Sequence, residues 1–177
     1  MTDAKRNFFR GAAPLILFAL LLPAVSAARE KIKEKDLPTR HKEWLKLVDT
    51  CILPAEKDVF LTLPNERDRD FFIEAFWKQR DPTPETPVNE YKEEMEKRFA
   101  YVNKYYKRGT VREGWMTDMG RIYMTLGAPV SIDNYEGMRG IYPVVVWHYY
   151  GDPAKRLPSF FQLVFFKRGG SGEFKLY

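Results

Sequence analysis

Four charged residues stand at the ends of patterned segments, where side chains from different elements can meet. Arg80 and Asp81 close a run with helical spacing, and Asp118 and Arg121 lie where the hydrophobic pattern changes. If the fold brings the two pairs together, their guanidinium and carboxylate groups would line a polar cleft that binds an anion or a peptide terminus. A structural role explains the same residues, since Arg80 would complement a helix dipole and Arg121 would pair with Asp118. The sequence leaves both interpretations open.

Signals for enzymatic chemistry are sparse in this chain. The two histidines are His41, at an exposed-looking helix start, and His148, in a predicted strand, and neither has the spacing of a zinc site. The sequence contains no Gly-x-Ser-x-Gly run and no phosphate-binding glycine loop before a helix. We therefore predict no catalytic, cofactor-binding or metal-binding residues. A hydrolase that uses Asp118 with Arg121 or Arg80 is the enzymatic alternative.

The first 27 residues have the three zones of a signal peptide. Three basic side chains precede an apolar core over residues 15–22, which Pro23 ends. Small side chains then occupy the positions that a signal peptidase reads, which predicts cleavage between Ala27 and Ala28. We therefore expect a periplasmic or secreted protein.

An uncleaved inner-membrane anchor is the competing interpretation of this segment. Residues 11–28 carry no charge and approach the ~18–20 residues that span a bilayer, but the strongly apolar part is shorter. The charged residues 28–37 lack apolar periodicity, which predicts a mobile leader before a single domain over residues 38–177.

The balance of charged residues argues against a partner that is bound mainly by its negative charge, such as nucleic acid. Residues 1–27 hold three basic residues and one acidic residue, so the 29 basic and 24 acidic side chains of the chain fall to 26 and 23 in the rest, a net charge of +3. Charges of both signs are interspersed, which is typical of a solvated surface and not of a patch for nucleic acid. We expect no nucleic-acid partner, and membrane contact only if the signal segment stays uncleaved.

Hydrophobic spacing divides the remaining chain into a helical part and a strand part. Apolar residues recur every three or four positions, with caps at Thr39, Asn65 and Thr86, in predicted helices over 39–50, 55–61, 66–80 and 87–107. Alternating or continuously apolar runs predict strands over 121–126, 144–150, 160–167 and 173–177. The order predicts an α+β fold, in which N-terminal helices pack on one face of a small three- to four-stranded antiparallel sheet formed by the C-terminal third.

One run stands at the junction of these two parts and reads Gly114-Trp115-Met116-Thr117-Asp118-Met119-Gly120-Arg121. A structural interpretation explains its members. Trp115 would anchor the loop in the core, and Thr117 and Asp118 would accept backbone N–H bonds in a tight turn. Gly120 would adopt a positive φ that starts the following strand.

The run resembles the motif for which the GWxTD domain family of bacteria is named. Other runs look like landmarks of the same family, and they cover residues 76–84, 89–90, 127–129, 147–149 and 170–174. Together they extend over roughly residues 52–177, and the resemblance implies an exported bacterial domain of unassigned function with no catalytic residues to carry over. The chain departs from the family at Val130 and Val146, where members commonly carry acidic side chains, so a carboxylate site at that turn gains no support.

These observations favour a non-catalytic interaction module of the bacterial envelope. Such a module would hold an unidentified protein or peptide on its sheet or in the junction cleft. The alternatives are the hydrolase and a structural subunit of an envelope assembly. A deep pocket that contains Asp118 with Arg121 or Arg80 would favour the hydrolase, whereas a large exposed apolar patch on the sheet would favour the structural subunit.

Overall fold

The computed structural model describes residues 30–107, 109–170 and 172–177. The predicted signal peptide, its cleavage site between Ala27 and Ala28, and the start of the predicted leader lie outside these ranges. In the part of the chain that is described, no helix is both long enough and apolar enough to cross a membrane.

Four helices precede the junction, as the apolar spacing predicts. They are α1 (Thr39–Val48), α2 (Pro54–Thr62), α3 (Glu66–Gln79) and α4 (Glu90–Tyr105). Asn65 caps α3 as predicted, because its Oδ1 accepts the N–H of Asp68 at 2.8 Å. The predicted cap at Thr86 is wrong. Helix α4 begins three residues after Pro87, where Asn89 Oδ1 accepts the N–H of Lys92 at 2.8 Å.

His41 differs from its prediction as an exposed residue. Its side chain is fully buried, and its Nε2 lies 2.9 Å from Asp70 Oδ1. The sequence ahead of it also contributes to the core, because Leu37 is buried and the N–H of Ile32 donates to the carbonyl of Leu61 at 3.0 Å. The packed region therefore begins before residue 38.

The predicted strand over residues 121–126 is wrong, because these residues belong to a fifth helix, α5 (Asp118–Leu126). The alternation of apolar residues there is also compatible with a helix once Met119 is included. Met119, Ile122, Tyr123 and Leu126 recur at helical spacing and pack together against the sheet. The local pattern fits both a strand and a helix, and the helix forms because Thr117 caps it and its apolar face packs against the sheet.

The sheet has four antiparallel strands in sequence order: β1 (Ser131–Asn134), β2 (Val144–Tyr150), β3 (Phe160–Phe166) and β4 (Lys175–Leu176). Strand β3 pairs with β2 along its whole length, from Tyr150↔Phe160 to Val144↔Phe166, and with β4 at Phe165 and Phe166. The α+β prediction is therefore confirmed, although the first strand is β1 and not the segment that precedes it.

Two hydrophobic clusters hold the domain together. The larger one joins α1–α4 to Met124 of α5, and its fully buried members include Val48, Phe60 and Val102. The smaller one lies between α5 and the inner face of the sheet, around Trp147. Residues Tyr106 and Tyr123 pack against both clusters. The junction between helices and sheet is consequently lined with aromatic rings.

Candidate functional site

Arg80 is engaged within the helical region. It caps the end of α3, and its Nη2 donates to both carboxylate oxygens of Glu56, at 2.7 Å and 2.9 Å. Its Nη1 donates to the backbone carbonyl of Phe76 at 3.3 Å, and its guanidinium carbon lies 3.7 Å from the centre of the Phe76 ring. Burial alone would raise the pKa of Glu56. The hydrogen bonds from Arg80 and from the Leu53 N–H, together with the guanidinium charge, outweigh burial, and the net effect is a lowered pKa.

The other three predicted site residues have separate surroundings. Asp81 Oδ1 accepts the N–H of Thr83 at 3.0 Å, which closes a local turn. Asp118 Oδ2 accepts the N–H of Leu176 in β4 at 3.0 Å. Arg121 is exposed. Within the described ranges, no hydrogen bond or ion pair joins Arg80 or Asp81 to Asp118 or Arg121, and the expected pair between Asp118 and Arg121 does not form.

The junction motif forms a 3-10 turn followed by the start of α5. Thr117 is buried, and its Oγ1 donates to the carbonyl of Gly114 at 2.7 Å and accepts the N–H of Gly120 at 3.0 Å. This capping bond to the first turn of α5 is what the turn prediction anticipated for Thr117. Trp115 Nε1 donates to Glu113 at 2.7 Å, while its backbone N–H donates to Asn103 Oδ1 of α4.

The two glycines of the motif allow close backbone approach. A Cβ on Gly114 would lie 1.9 Å from the carbonyl oxygen of Val102 in α4, and a Cβ on Gly120 would lie 1.9 Å from the carbonyl oxygen of Gly114. The prediction of a positive φ at Gly120 is wrong, because this residue lies within α5. The glycines are needed for space, so that α4, the turn and α5 can touch.

A groove of about 490 Å³ lies beside the motif, between the end of α4 and the sheet. Its walls are mostly aromatic and apolar, with a few polar side chains among them. They are formed by Tyr101, Tyr105, Tyr106, Thr117, Met119, Ile132, Asn134, Glu136, Val145, Trp147, Lys167, Glu173 and Phe174. Neither Arg80, Asp81, Asp118 nor Arg121 lines it. Apolar walls with a few convergent polar groups are typical of a binding site.

One cation already lies against the wall of the groove. Lys167 Nζ is 3.2 Å from Glu136 Oε2 and 4.2 Å from the centre of the Phe174 ring. An ammonium group is attracted both to a carboxylate and to the face of an aromatic ring. The groove wall therefore combines the two kinds of group that hold a positive charge.

Glu173 is the most buried carboxylate of the groove, with a side chain that is 13% exposed. Its Oε1 contacts Arg112 at 3.1 Å and also the ammonium of Lys175, whereas its Oε2 is buried and has no hydrogen-bond partner among the described residues. Burial alone would raise the pKa of Glu173. The hydrogen bond and charge of Lys175, and to a smaller extent those of Arg112, outweigh burial, and the net effect is a lowered pKa. The carboxylate is therefore charged at neutral pH.

Trp147 supplies a second buried polar atom without a partner. Its side chain is fully buried between Tyr106 and Phe165, with ring centres 5.6 Å and 4.8 Å away, and no acceptor among the described residues meets its Nε1. Buried polar groups are nearly always paired, and two of the six unpaired ones found among the described residues belong to side chains that line this groove. Burial, followed by the neighbouring Tyr101, raises the pKa of Tyr106, so this phenol stays neutral.

The sequence-based hypothesis missed these groove residues. Trp147, Glu173 and Phe174 lay in runs that carried the family resemblance, and Tyr106 belonged to the predicted apolar face of α4. The landmark runs could have pointed to the groove, because three of them meet there: the junction motif, the run at Trp147 and the run at Glu173. Their meeting depends on the sheet register and was not readable from spacing.

Metal chemistry has no candidate among the described residues. No group of three or more His, Cys, Asp or Glu side chains there is placed to hold a metal ion. The buried His41 pairs with the partly exposed Asp70, which also contacts Arg40, whose Nη2 lies 2.8 Å from Asp70 Oδ2. This cluster stabilises the contact between α1 and α3.

Comparison with protein families gives a match to the GWxTD domain. The sequence pattern of the GWxTD domain matches residues 27–163, which is most of the chain. The match begins before the region over which the landmark runs extend and ends before the run at 170–174. Comparison with curated proteins gives no significant match, and comparison with solved structures gives none either.

Proposed function

The chain belongs to the GWxTD domain family, and from that membership and the geometry of the groove we propose that it is a non-catalytic module that binds a protein or peptide in the bacterial cell envelope. The observation that carries the proposal is the aromatic groove with two buried, unpartnered polar atoms, Trp147 Nε1 and Glu173 Oε2. A ligand that pairs both atoms would remove an energetic cost that the free protein carries.

The edge of the sheet beside the groove supports a peptide as the ligand. Strand β1 is the end strand in the described sheet, and its residues are exposed. Ile132 and Asn134 of this strand line the groove, whereas Ser131 and Asp133 alternate with them on the other face. A peptide that pairs with β1 would make main-chain hydrogen bonds and place alternate side chains over the groove.

The hydrolase alternative loses its structural basis in this arrangement. It requires Asp118 to share a deep pocket with Arg121 or Arg80. Arg80 is committed to Glu56, Asp118 accepts the N–H of Leu176, and the groove is lined by neither of them. Arg80 and Asp118 are thus engaged in structural contacts in two separate places, and Arg121 is exposed and makes no contact with Asp118 that would form a site.

A matched pair of variants tests the binding proposal. Random peptides displayed on phage would be selected on the full chain and then measured against Asn134→Trp, which fills the groove, and Ser131→Trp, which adds the same bulk on the opposite face of β1. We expect selected peptides to lose at least 10-fold in affinity with Asn134→Trp and to keep it with Ser131→Trp. Peptides that bind both variants as tightly as the unmodified chain would contradict the proposal.

Export is a separate part of the proposal and has its own test. Fractionation of expressing bacteria, followed by N-terminal sequencing of the accumulated protein, is expected to give a periplasmic or secreted chain that begins at Ala28. A protein that keeps residues 1–27 and pellets with the inner membrane would instead support the anchored alternative.

One observation favours the second candidate, a structural subunit of an envelope assembly. The outer face of the sheet carries several apolar side chains, including Phe160 and Tyr150, which are 49% and 74% exposed. Exposed apolar patches of this kind often mark protein interfaces. Assembly through this face would appear as a concentration-dependent mass in light scattering that Phe160→Glu abolishes and Asn134→Trp leaves intact.

A further inference from the structure

The two oxygens of Glu173 are used unequally, and the difference indicates what the groove lacks. Arg112 and Lys175 both contact Oε1, and Oε2 is buried without a donor from any residue that the structure describes. A charged carboxylate offers about four lone-pair positions, and its strongest hydrogen bonds come from charged N–H groups. The free position at Oε2 is therefore best satisfied by a cation.

The aromatic rings of the groove wall favour the same kind of group. Its charged members are Glu136, Glu173 and Lys167, and the two cations on Glu173 Oε1, Arg112 and Lys175, lie beside it, so a ligand cation would be held by Oε2 and the rings and not by a net negative charge. Aromatic rings from Tyr105, Tyr106 and other residues complete the wall, and ring faces attract cations. Lys167 demonstrates this chemistry within the chain itself, because its ammonium binds a carboxylate and a ring at once.

The unpartnered indole N–H of Trp147 adds a complementary requirement. This atom can only donate, so it needs an acceptor such as a peptide carbonyl. A peptide that carries a cationic nitrogen supplies both functions: the nitrogen donates to Glu173 and a carbonyl accepts from Trp147. An anionic ligand would satisfy Trp147 and leave Glu173 Oε2 unpaired.

We propose that the groove recognises a positively charged nitrogen of its peptide ligand, with Glu173 Oε2 as the acceptor and the surrounding aromatic rings as the cation-binding wall. The nitrogen comes from a lysine or arginine side chain or from an N-terminal ammonium. This inference rests on the proposed peptide-binding function and specifies the ligand chemistry that the groove selects.

The first test compares peptide selections on the full chain and on Glu173→Gln. Libraries with free and with acetylated N-termini would be used in parallel. The unmodified chain is expected to enrich Lys and Arg in the acetylated library, if the side chain supplies the cation, or to bind only free N-termini, if the ammonium supplies it. Glu173→Gln is expected to weaken the selected cationic peptides by about 10-fold or more, because a charge-assisted hydrogen bond is lost.

A second variant shifts affinity in the opposite direction and guards against simple misfolding. Lys175→Gln removes the exposed ammonium that competes for Glu173, so cationic peptides are expected to bind several-fold more tightly. Lys57→Gln is the matched control, because it removes a lysine paired with Glu34 in the helical region. Isothermal titration with one selected cationic peptide and its norleucine- or acetyl-substituted neutral analogue would measure both effects.

The outcomes separate this inference from the proposed function. Groove-dependent peptides that show no enrichment of cationic nitrogen, and whose affinity is indifferent to Glu173→Gln and Lys175→Gln, would overturn the inference and leave the binding function standing. A failure to select any peptide that Asn134→Trp blocks would overturn both.

Discussion

Glu56 in the helical region and Glu173 at the edge of the sheet region are both mostly buried carboxylates, and both bind an arginine. Glu56 uses both oxygens: Arg80 donates to each, and the N–H of Leu53 donates to Oε2 at 2.8 Å. Glu173 uses only Oε1, although its side chain is the less exposed, at 13% against 22%. Similar chemistry is thus completed in one region and left incomplete in the other.

Under the proposed function, this difference separates residues that stabilise the fold from residues that bind the ligand. The helical region has a large core, and Arg80 at the end of α3 joins α2 through its two hydrogen bonds to Glu56. The sheet region has a small core, an open outer face and a groove lined by Trp147 and Glu173, each with one buried polar atom that is unpaired among the described residues. The helical region also contains such atoms, at His41, Trp44, Thr50 and Arg69. Unpaired buried polar groups cost free energy, and a ligand bound in the groove would remove that cost at Trp147 and Glu173.

The largest expected effect comes from the motif glycine that holds the two regions together. Gly114→Ala would force α4 away from the 3-10 turn, and we expect a loss of about 3 kcal/mol in the free energy of unfolding, measured by denaturant titration. Gly137→Ala is the control, because its Cβ would meet nothing within 4 Å. The control carries only the strain of a positive φ, about 1 kcal/mol. Equal losses in the two variants would show that close packing at Gly114 is not the reason for the glycine.

The two carboxylates themselves provide the direct comparison. Glu56→Gln leaves the mostly buried Arg80 without its charged partner, and we expect a loss of about 2 kcal/mol in unfolding free energy. Glu173→Gln is expected to cost less than about 1 kcal/mol, because the lost ion pairs involve partly exposed cations and a buried carboxylate oxygen without a donor among the described residues is replaced by a neutral group. A larger loss at Glu173 than at Glu56 would reverse the assignment of structural and binding roles.

The pH dependence of stability should follow from the lowered pKa of Glu56. A folded-state pKa below the unfolded one stabilises the protein above the unfolded pKa of about 4.3, and this contribution disappears as the pH falls through the folded pKa. The stability gap between the unmodified chain and Glu56→Gln should therefore stay constant above the unfolded pKa of about 4.3 and narrow as the pH falls below it and through the folded pKa of Glu56. Thermal unfolding of both proteins at a series of pH values above and below about 4.3 measures this gap. A gap that stays constant down to low pH would contradict a stabilising ion pair between Arg80 and Glu56.

The smallest effect is expected at Arg121. Its side chain is exposed and makes no hydrogen bond or ion pair with any described residue. Arg121→Ala should change the unfolding free energy by no more than about 0.5 kcal/mol and should leave peptide affinity unchanged. Lost peptide binding with unchanged stability would restore the polar cleft that the sequence suggested and would weaken the case for the groove.

Local features of the fold were predictable because their causes are local. Asn65 caps α3 through a bond to a residue three positions away, and the apolar spacing around Trp44 and Phe76 marks helix faces. The segment after Asp118 was mispredicted because its apolar residues fit both a strand and a helix. The choice was made by the Thr117 cap and by packing of Met119 and Ile122 against the sheet.

By itself, the sequence determined the family, the α+β class and most helices, since motif order, spacing and capping act over a few residues. Tertiary structure alone decided which charged groups meet. Asp118 accepts the N–H of Leu176, which is 58 residues away in the sequence, and Arg112 donates to Glu173, which is 61 residues away. Arg80 donates to Glu56 and not to either of the other predicted site residues near the motif. Such contacts depend on strand register and on the close approach of α4 at Gly114. No short-range pattern encodes them, because they form only when distant segments pack.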